Sequence, residues 1–166
     1  MSSTRHTIYT LGHSTRSADE FLGLLKQFGI EVLVDVRRYP TSRRHPHFVQ
    51  AILQRSLAGA AITYVHEPDL GGRRTARRDS PNRAWERPGF RGYADHAATQ
   101  PFGAALSRVM ERAAAAPTAI MCAEAVPWRC HRQLIADYLV VRGWEVQHVM
   151  GPGQCTPHTL HPAAHP

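Results

Sequence analysis

The stretch TIYTLGHSTRSADEFLGLLKQFGIEVLVDV, residues 7–36, reads as strand, helix and strand in succession. Residues 7–12 carry the β-branched and aromatic side chains of a short strand and run out into Gly12, His13 and Ser14. Ser17 and Glu20 form a capping-box pattern, Phe21, Leu24, Leu25 and Phe28 recur at helical spacing, and Gly29 supplies the stop. Residues 30–36, IEVLVDV, are largely apolar, as a strand covered on both faces must be. This is a βαβ unit, and it implies a parallel sheet.

Outward from this unit the alternation continues. Residues 45–59, HPHFVQAILQRSLAG, offer Phe48, Ile52 and Leu57 on a helix closed by Gly59, followed by the strand ITYV at 62–65. From Glu67 to Gly89 the chain is rich in Gly, Pro, Arg and Asp without an apolar period, which predicts a long basic loop. A short helix is expected over 90–99, and a longer one over 101–116 with Phe102, Leu106, Val109, Met110 and Ala113 inward. TAIMC, residues 118–122, is a buried strand. Pro127 suits the first turn of the next helix, which shows Leu134, Ile135, Tyr138 and Leu139 inward and ends at Gly143. WEVQHVM, residues 144–150, is the last expected strand.

The expected fold is therefore an α/β three-layer sandwich, a mostly parallel sheet of about five strands with helices on both faces. It forms a single domain over residues 1–150, and the Pro- and His-rich tail 151–166 is expected to be irregular. A chain of 166 residues suits one hydrophobic core. No apolar run approaches the roughly 20 residues of a membrane helix, and the polar start MSSTRHT lacks a secretory stretch, so the expected address is the cytoplasm, with no membrane partner. Cys122, Cys130 and Cys155 are too few for a disulfide framework and read as thiols.

Twenty Lys plus Arg against 13 Asp plus Glu leave a net charge of +7, which favours an anionic partner, either a small molecule or nucleic acid. All but one of these cations are arginines, so base composition of the gene is a rival explanation of the excess.

Ligands of open α/β sheets bind outside the carboxyl ends of the strands. The segments leaving those ends carry His13, Asp35, Arg37, Arg38, His66 and Glu67, and then Cys122, Glu124, Arg129, Cys130, His131 and Arg132. A thiol ending a buried strand before a helix lies near the positive end of that helix, which favours its thiolate. Such a loop is similar to the cradle of cysteine phosphatases and rhodaneses, where a thiolate and an arginine bracket an oxyanion. Phosphatases place five residues between the two, whereas six separate Cys122 from Arg129, and Glu124 brings a carboxylate suited to general acid or base work.

Each residue also has a plainer reading. Cys122 can be an inert packed thiol, Asp35 can hold Arg37 or Arg129 in a structural ion pair, and His131 and Arg132 can brace the first helical turn. His13 can be a turn histidine bonded to backbone. The basic 73–91 loop, with Trp85, Phe90 and Tyr93 interleaved, can stack on bases or simply be solvated. Cys122, Cys130 and His131 offer a weaker alternative as metal ligands, because seven residues separate the cysteines where zinc sites favour two to four; otherwise no cofactor is expected.

Gly12-His13-Ser14, Asp35-Val36-Arg37-Arg38 with Pro40 and Ser42, Leu70-Gly71-Gly72, Phe90-Arg91-Gly92-Tyr93-Ala94, and Cys122-Ala123-Glu124 followed by Cys130-His131-Arg132 occur in this order. On these residues the chain resembles the bacterial and archaeal family catalogued as domain of unknown function 488, over residues 7 to about 150. The resemblance implies that these polar residues share one site, and it names no reaction. The leading expectation is an enzyme acting on an anionic, phosphate-containing substrate such as a nucleotide or nucleic acid. Cys122, Glu124, His13 and Asp35 are its catalytic candidates, and Arg37, Arg38, Arg129, His131 and Arg132 hold the anion. A non-catalytic nucleic-acid-binding module is the alternative.

Overall fold

A computed structural model describes residues 6–41, 44–72, 88–125 and 130–160, with the side chains of 88–91 excepted. Eleven elements follow one another among these residues: β1 (Thr7–Gly12), α1 (Ala18–Gln27), β2 (Val32–Asp35), α2 (Gln50–Gly59), β3 (Thr63–His66), α3 (Pro88–Ala97), α4 (Gln100–Ala115), β4 (Thr118–Cys122), α5 (Arg132–Val141), β5 (Glu145–Gly151) and β6 (Gln154–Pro157). The six strands form one sheet in the order β3-β2-β4-β1-β5-β6, parallel except for the last pair.

The local chemistry of the opening unit behaves as its sequence requires. The Ser17 hydroxyl accepts from the Glu20 N–H while the Glu20 carboxylate accepts from the Ser17 N–H, closing the capping box at the start of α1. Gly29, just past its end, adopts φ +68°, which a side chain would strain.

Alternation along the strands divides the interior in two. Ile8, Val34, Ile120, Cys122 and Val146 pack with α3, α4 and α5 on one face. Leu11, Leu33, Ala119, Met121 and Val149 pack with α1 and α2 on the other. The helix after β4 thus lies on the opposite face from those after its neighbours β1 and β2, so the chain parts at the carboxyl end of β4, where such sheets open a crevice. The ladder runs on past the strands there: the N–H groups of His13 and Ser14 donate to the carbonyls of Cys122 and Ala123, and Val36 N–H donates to Met121.

Three expectations are corrected. The helix expected over 45–59 is a 3-10 turn at Pro46–Phe48 and then α2; the interruption resets the phase, so Leu53 and Leu57 face inward and Ile52 is exposed. The helix after β4 begins at Arg132, and Pro127, proposed for its first turn, lies outside the described residues. Residues 154–157 of the tail are not irregular. Gly153, at φ +66°, turns the chain back, and β6 pairs antiparallel with β5. Its exposed side chains carry no apolar signal, because the pairing is made by backbone. The basic stretch 73–87 lies outside the described residues.

Candidate functional site

Two polar groups gather at the carboxyl ends of the strands, and they belong to different halves of the sandwich. The first is built on Asp35, the fully buried last residue of β2. Asp35 Oδ1 accepts from the backbone N–H of Arg37 at 3.0 Å and from its Nε at 2.9 Å, and Oδ2 accepts from Arg37 Nη2 at 2.7 Å. The Tyr64 hydroxyl donates to the same Oδ2 at 2.5 Å. Burial first, and then the Asp35 charge, push the Tyr64 pKa upward, so its hydroxyl stays a donor. His66 Nε2–H donates to the Arg37 carbonyl at 2.7 Å. Of the two ion pairs that the sequence left open for Asp35, the one with Arg37 is formed.

His13 joins that group. Its ring stacks on Phe48 at 4.3 Å, and Nδ1–H donates to the Ser14 carbonyl at 2.9 Å, which leaves Nε2 with its lone pair in the neutral ring. Burial lowers its pKa to about 4 against the opposing Ser14 bond, and the nearby Arg37 charge lowers it further. Arg38 is half-buried with its guanidinium over the Tyr39 ring at 5.3 Å.

The second group is built on Cys122, the last residue of β4, and on the start of α5. Cys122 and Cys130 are both buried, and their sulfurs stand 2.8 Å apart. Burial alone would raise the Cys122 pKa, but the Cys130 hydrogen bond, the Arg132 charge and a backbone hydrogen bond at Glu124 together carry it below the ordinary thiol value. Cys130 moves the other way, raised by burial and by its bond to Cys122. Cys130 donates to Cys122, which is the more acidic sulfur of the pair.

Among the described residues Arg132 is the largest fully buried side chain. Its Nη2 donates to the Ala125 carbonyl at 3.0 Å, while Nε and Nη1 meet no acceptor among the described residues. A buried guanidinium with two unanswered donors is costly, by several kcal/mol when no anion is near. Its charge also acts on Cys122, whose pKa it lowers.

His131 lies between this pair and the neighbouring loops: Nδ1 is 3.5 Å from Cys130 Sγ, and the ring is 4.9 Å from that of Tyr93. A side chain on Gly72 would come within 2.8 Å of His131 Nδ1, so the Leu70-Gly71-Gly72 motif lets two loops touch. Gly12 does the same at the rim, where an added Cβ would stand 1.6 Å from the Glu124 carbonyl oxygen. The Glu124 side chain is exposed.

The shared cavity expected of all these residues is therefore divided. Gly12 is level with Cys122, so His13, one residue on, turns to the opposite face and packs on Phe48. Backbones meet at one rim; Asp35, Arg37 and His13 face the α1 and α2 half, and Cys122, Cys130 and Arg132 face the α5 half. Arg129 lies outside the described residues. The metal alternative gains nothing from the geometry. Two thiolates on one tetrahedral zinc, each at about 2.3 Å, would stand nearly 4 Å apart, and among the described residues no group of three or more His, Cys, Asp or Glu is arranged to hold a metal ion. No described helix is long and apolar enough to cross a membrane.

One buried chain escaped the sequence. The Thr10 hydroxyl bonds His148 Nδ1 at 2.5 Å, His148 Nε2 bonds His158 Nδ1 at 2.8 Å, and His158 Nε2 bonds Asp137 Oδ1 at 2.6 Å. The Asp137 carboxylate can only accept, so His158 Nε2–H donates to it at the end of the chain. Burial, then His158 and Arg132, lower the His148 pKa to about 3. Thr10 and His148 are polar residues at buried positions of their strands, and that they are register partners is a tertiary fact.

The family model described as "Domain of unknown function DUF488" matches residues 17–139, well over half of the chain. No curated protein and no solved structure matches it.

Proposed function

The chain belongs to the DUF488 family, and from that premise we propose that it is an enzyme whose Cys122 thiolate acts on an anionic, phosphate-containing substrate such as a nucleotide or nucleic acid. One observation carries the reading: Arg132 is wholly buried near Cys122, with Nε and Nη1 unanswered among the described residues. Those two donors lie on different edges of the guanidinium, and each offers a hydrogen bond to a negative oxygen of the substrate while Cys122 attacks. His13 faces the other half, so the proton-moving role falls to Glu124, on the same loop as Cys122. Arg37, spent on Asp35, braces the rim. A working thiolate requires a reducing compartment, and the cytoplasm is the address that goes with this reading.

Alkylation tests it. Iodoacetate carries a negative charge and iodoacetamide does not, and the exposed Cys155 is an internal reference thiol. At Cys122 the ratio of iodoacetate to iodoacetamide labelling, followed by mass spectrometry of the peptides, is expected to exceed that at Cys155 by about tenfold or more, one pKa-unit equivalent of charge interaction. Inorganic phosphate should compete. Equal ratios at the two cysteines, without phosphate protection, overturn the reading. A nucleic-acid-binding module would instead show binding to generic DNA or RNA that falls steeply with salt.

A further inference from the structure

We propose that Cys122 and Cys130 are a redox-active pair that closes into a reversible disulfide when a small hydroperoxide reaches the site, with Cys122 as the attacking and Cys130 as the resolving sulfur. The proposal uses the thiol of the function proposed above but needs neither Arg132's anion nor a phosphate-containing substrate.

The geometry carries it. The two sulfurs face each other at 2.8 Å, about 0.8 Å more than the S–S bond of about 2.05 Å, so closure needs a shift smaller than a bond length. Cys122 ends a central strand, and Cys130 lies two residues before the start of α5. Both side chains are at most 4% exposed, which excludes bulky oxidants and favours the smallest, hydrogen peroxide. Cys155 is on the exposed edge strand β6, remote in sequence from the pair.

The steps balance. The Cys122 thiolate attacks one peroxide oxygen, the O–O bond breaks, hydroxide leaves, and Cys122 becomes a sulfenic acid. Cys130 sulfur then attacks the Cys122 sulfur, the S–O bond breaks, and hydroxide departs, taking up the Cys130 proton as water. Two thiols are oxidised by two electrons, and one peroxide is reduced to two waters. A dithiol reductant reverses the linkage by exchange.

The test uses the full chain carrying Cys155→Ser, so that two thiols remain. Native protein treated with hydrogen peroxide is expected to lose two hydrogens in intact mass, to yield a Cys122–Cys130 linked peptide, and to regain both hydrogens with dithiothreitol. Adding Cys130→Ser should stop oxidation at a Cys122 sulfenic acid that dimedone traps. Adding Cys122→Ser should leave Cys130 unoxidised. Oxidation of Cys122 to sulfinic acid with Cys130 still present and no linkage overturns the resolving role. No oxidation at either sulfur overturns the proposal at its first step. Iodoacetate labelling of the reduced protein then reports separately whether the anion site stands, because that readout needs no oxidant.

Discussion

Arg37 and Arg132 are both buried arginines at the same rim of one sheet, and their surroundings are opposite. Arg37 is gripped by Asp35 through three hydrogen bonds, and a fourth from Tyr64 completes the carboxylate. Arg132 has one backbone carbonyl, a neighbouring thiol, and two donors with no acceptor among the described residues. Charge at a strand end does not by itself make a site. Where the counter-ion is built in, the arginine holds the fold; where none stands among the described residues, the guanidinium keeps an unmet demand for negative charge, and that is the ground of the proposed site.

The widest gap between the two should appear on removing each charge. Arg37→Leu leaves the Asp35 carboxylate buried without its cation and is expected to lower stability by about 3–5 kcal/mol in urea titrations. Arg132→Leu removes a charge that has no carboxylate partner among the described residues, so it is expected to cost no more than about 1 kcal/mol while sharply slowing Cys122 alkylation at neutral pH. Equal losses of stability would break the comparison, since Arg132 would then have its counter-ion within the fold.

Acid should discriminate next. His13 in one half and His148 in the other are held neutral, with pKa values lowered from 6.5 to about 4 and about 3. The unfolded chain binds these protons more readily than the folded one, so their contribution is intact above pH 6.5 and is lost as pH falls toward 4 and then 3. Allowing for partial screening, the combined loss is on the order of 3 kcal/mol. Denaturant midpoints measured from pH 7 to pH 3.5 check it; His148→Gln should flatten the lower part of that curve, and an unchanged curve would mean that the buried chain through His158 does not hold.

The smallest effect sharpens the division itself. Tyr64→Phe deletes one hydrogen bond to Asp35 and should lower stability by about 1–2 kcal/mol with no change in Cys122 labelling. A change in labelling would show that the two halves communicate.

Much of this was legible in residues taken in order. The capping box, the apolar strands 32–35 and 118–122 and the glycine stops act between neighbours a few positions apart, where sequence distance is spatial distance. The same holds for Cys122, Arg132 and their shared loop. The phase of α2 was not legible, because the 3-10 turn at Pro46–Phe48 decides it, and β6 was hidden because backbone hydrogen bonds leave no mark on side-chain pattern.

By itself, then, the sequence determined the alternation of strands and helices, the rim where polar residues collect, and the identities of the thiols and arginines there. Only the tertiary structure decided which of them face one another. Side chains on a strand alternate between faces, so a one-residue offset sent His13 and Cys122 into different halves although their backbones touch. The same packing satisfied Arg37, left two Arg132 donors unanswered among the described residues, and joined Thr10 and His148 to the tail's His158 across more than a hundred residues.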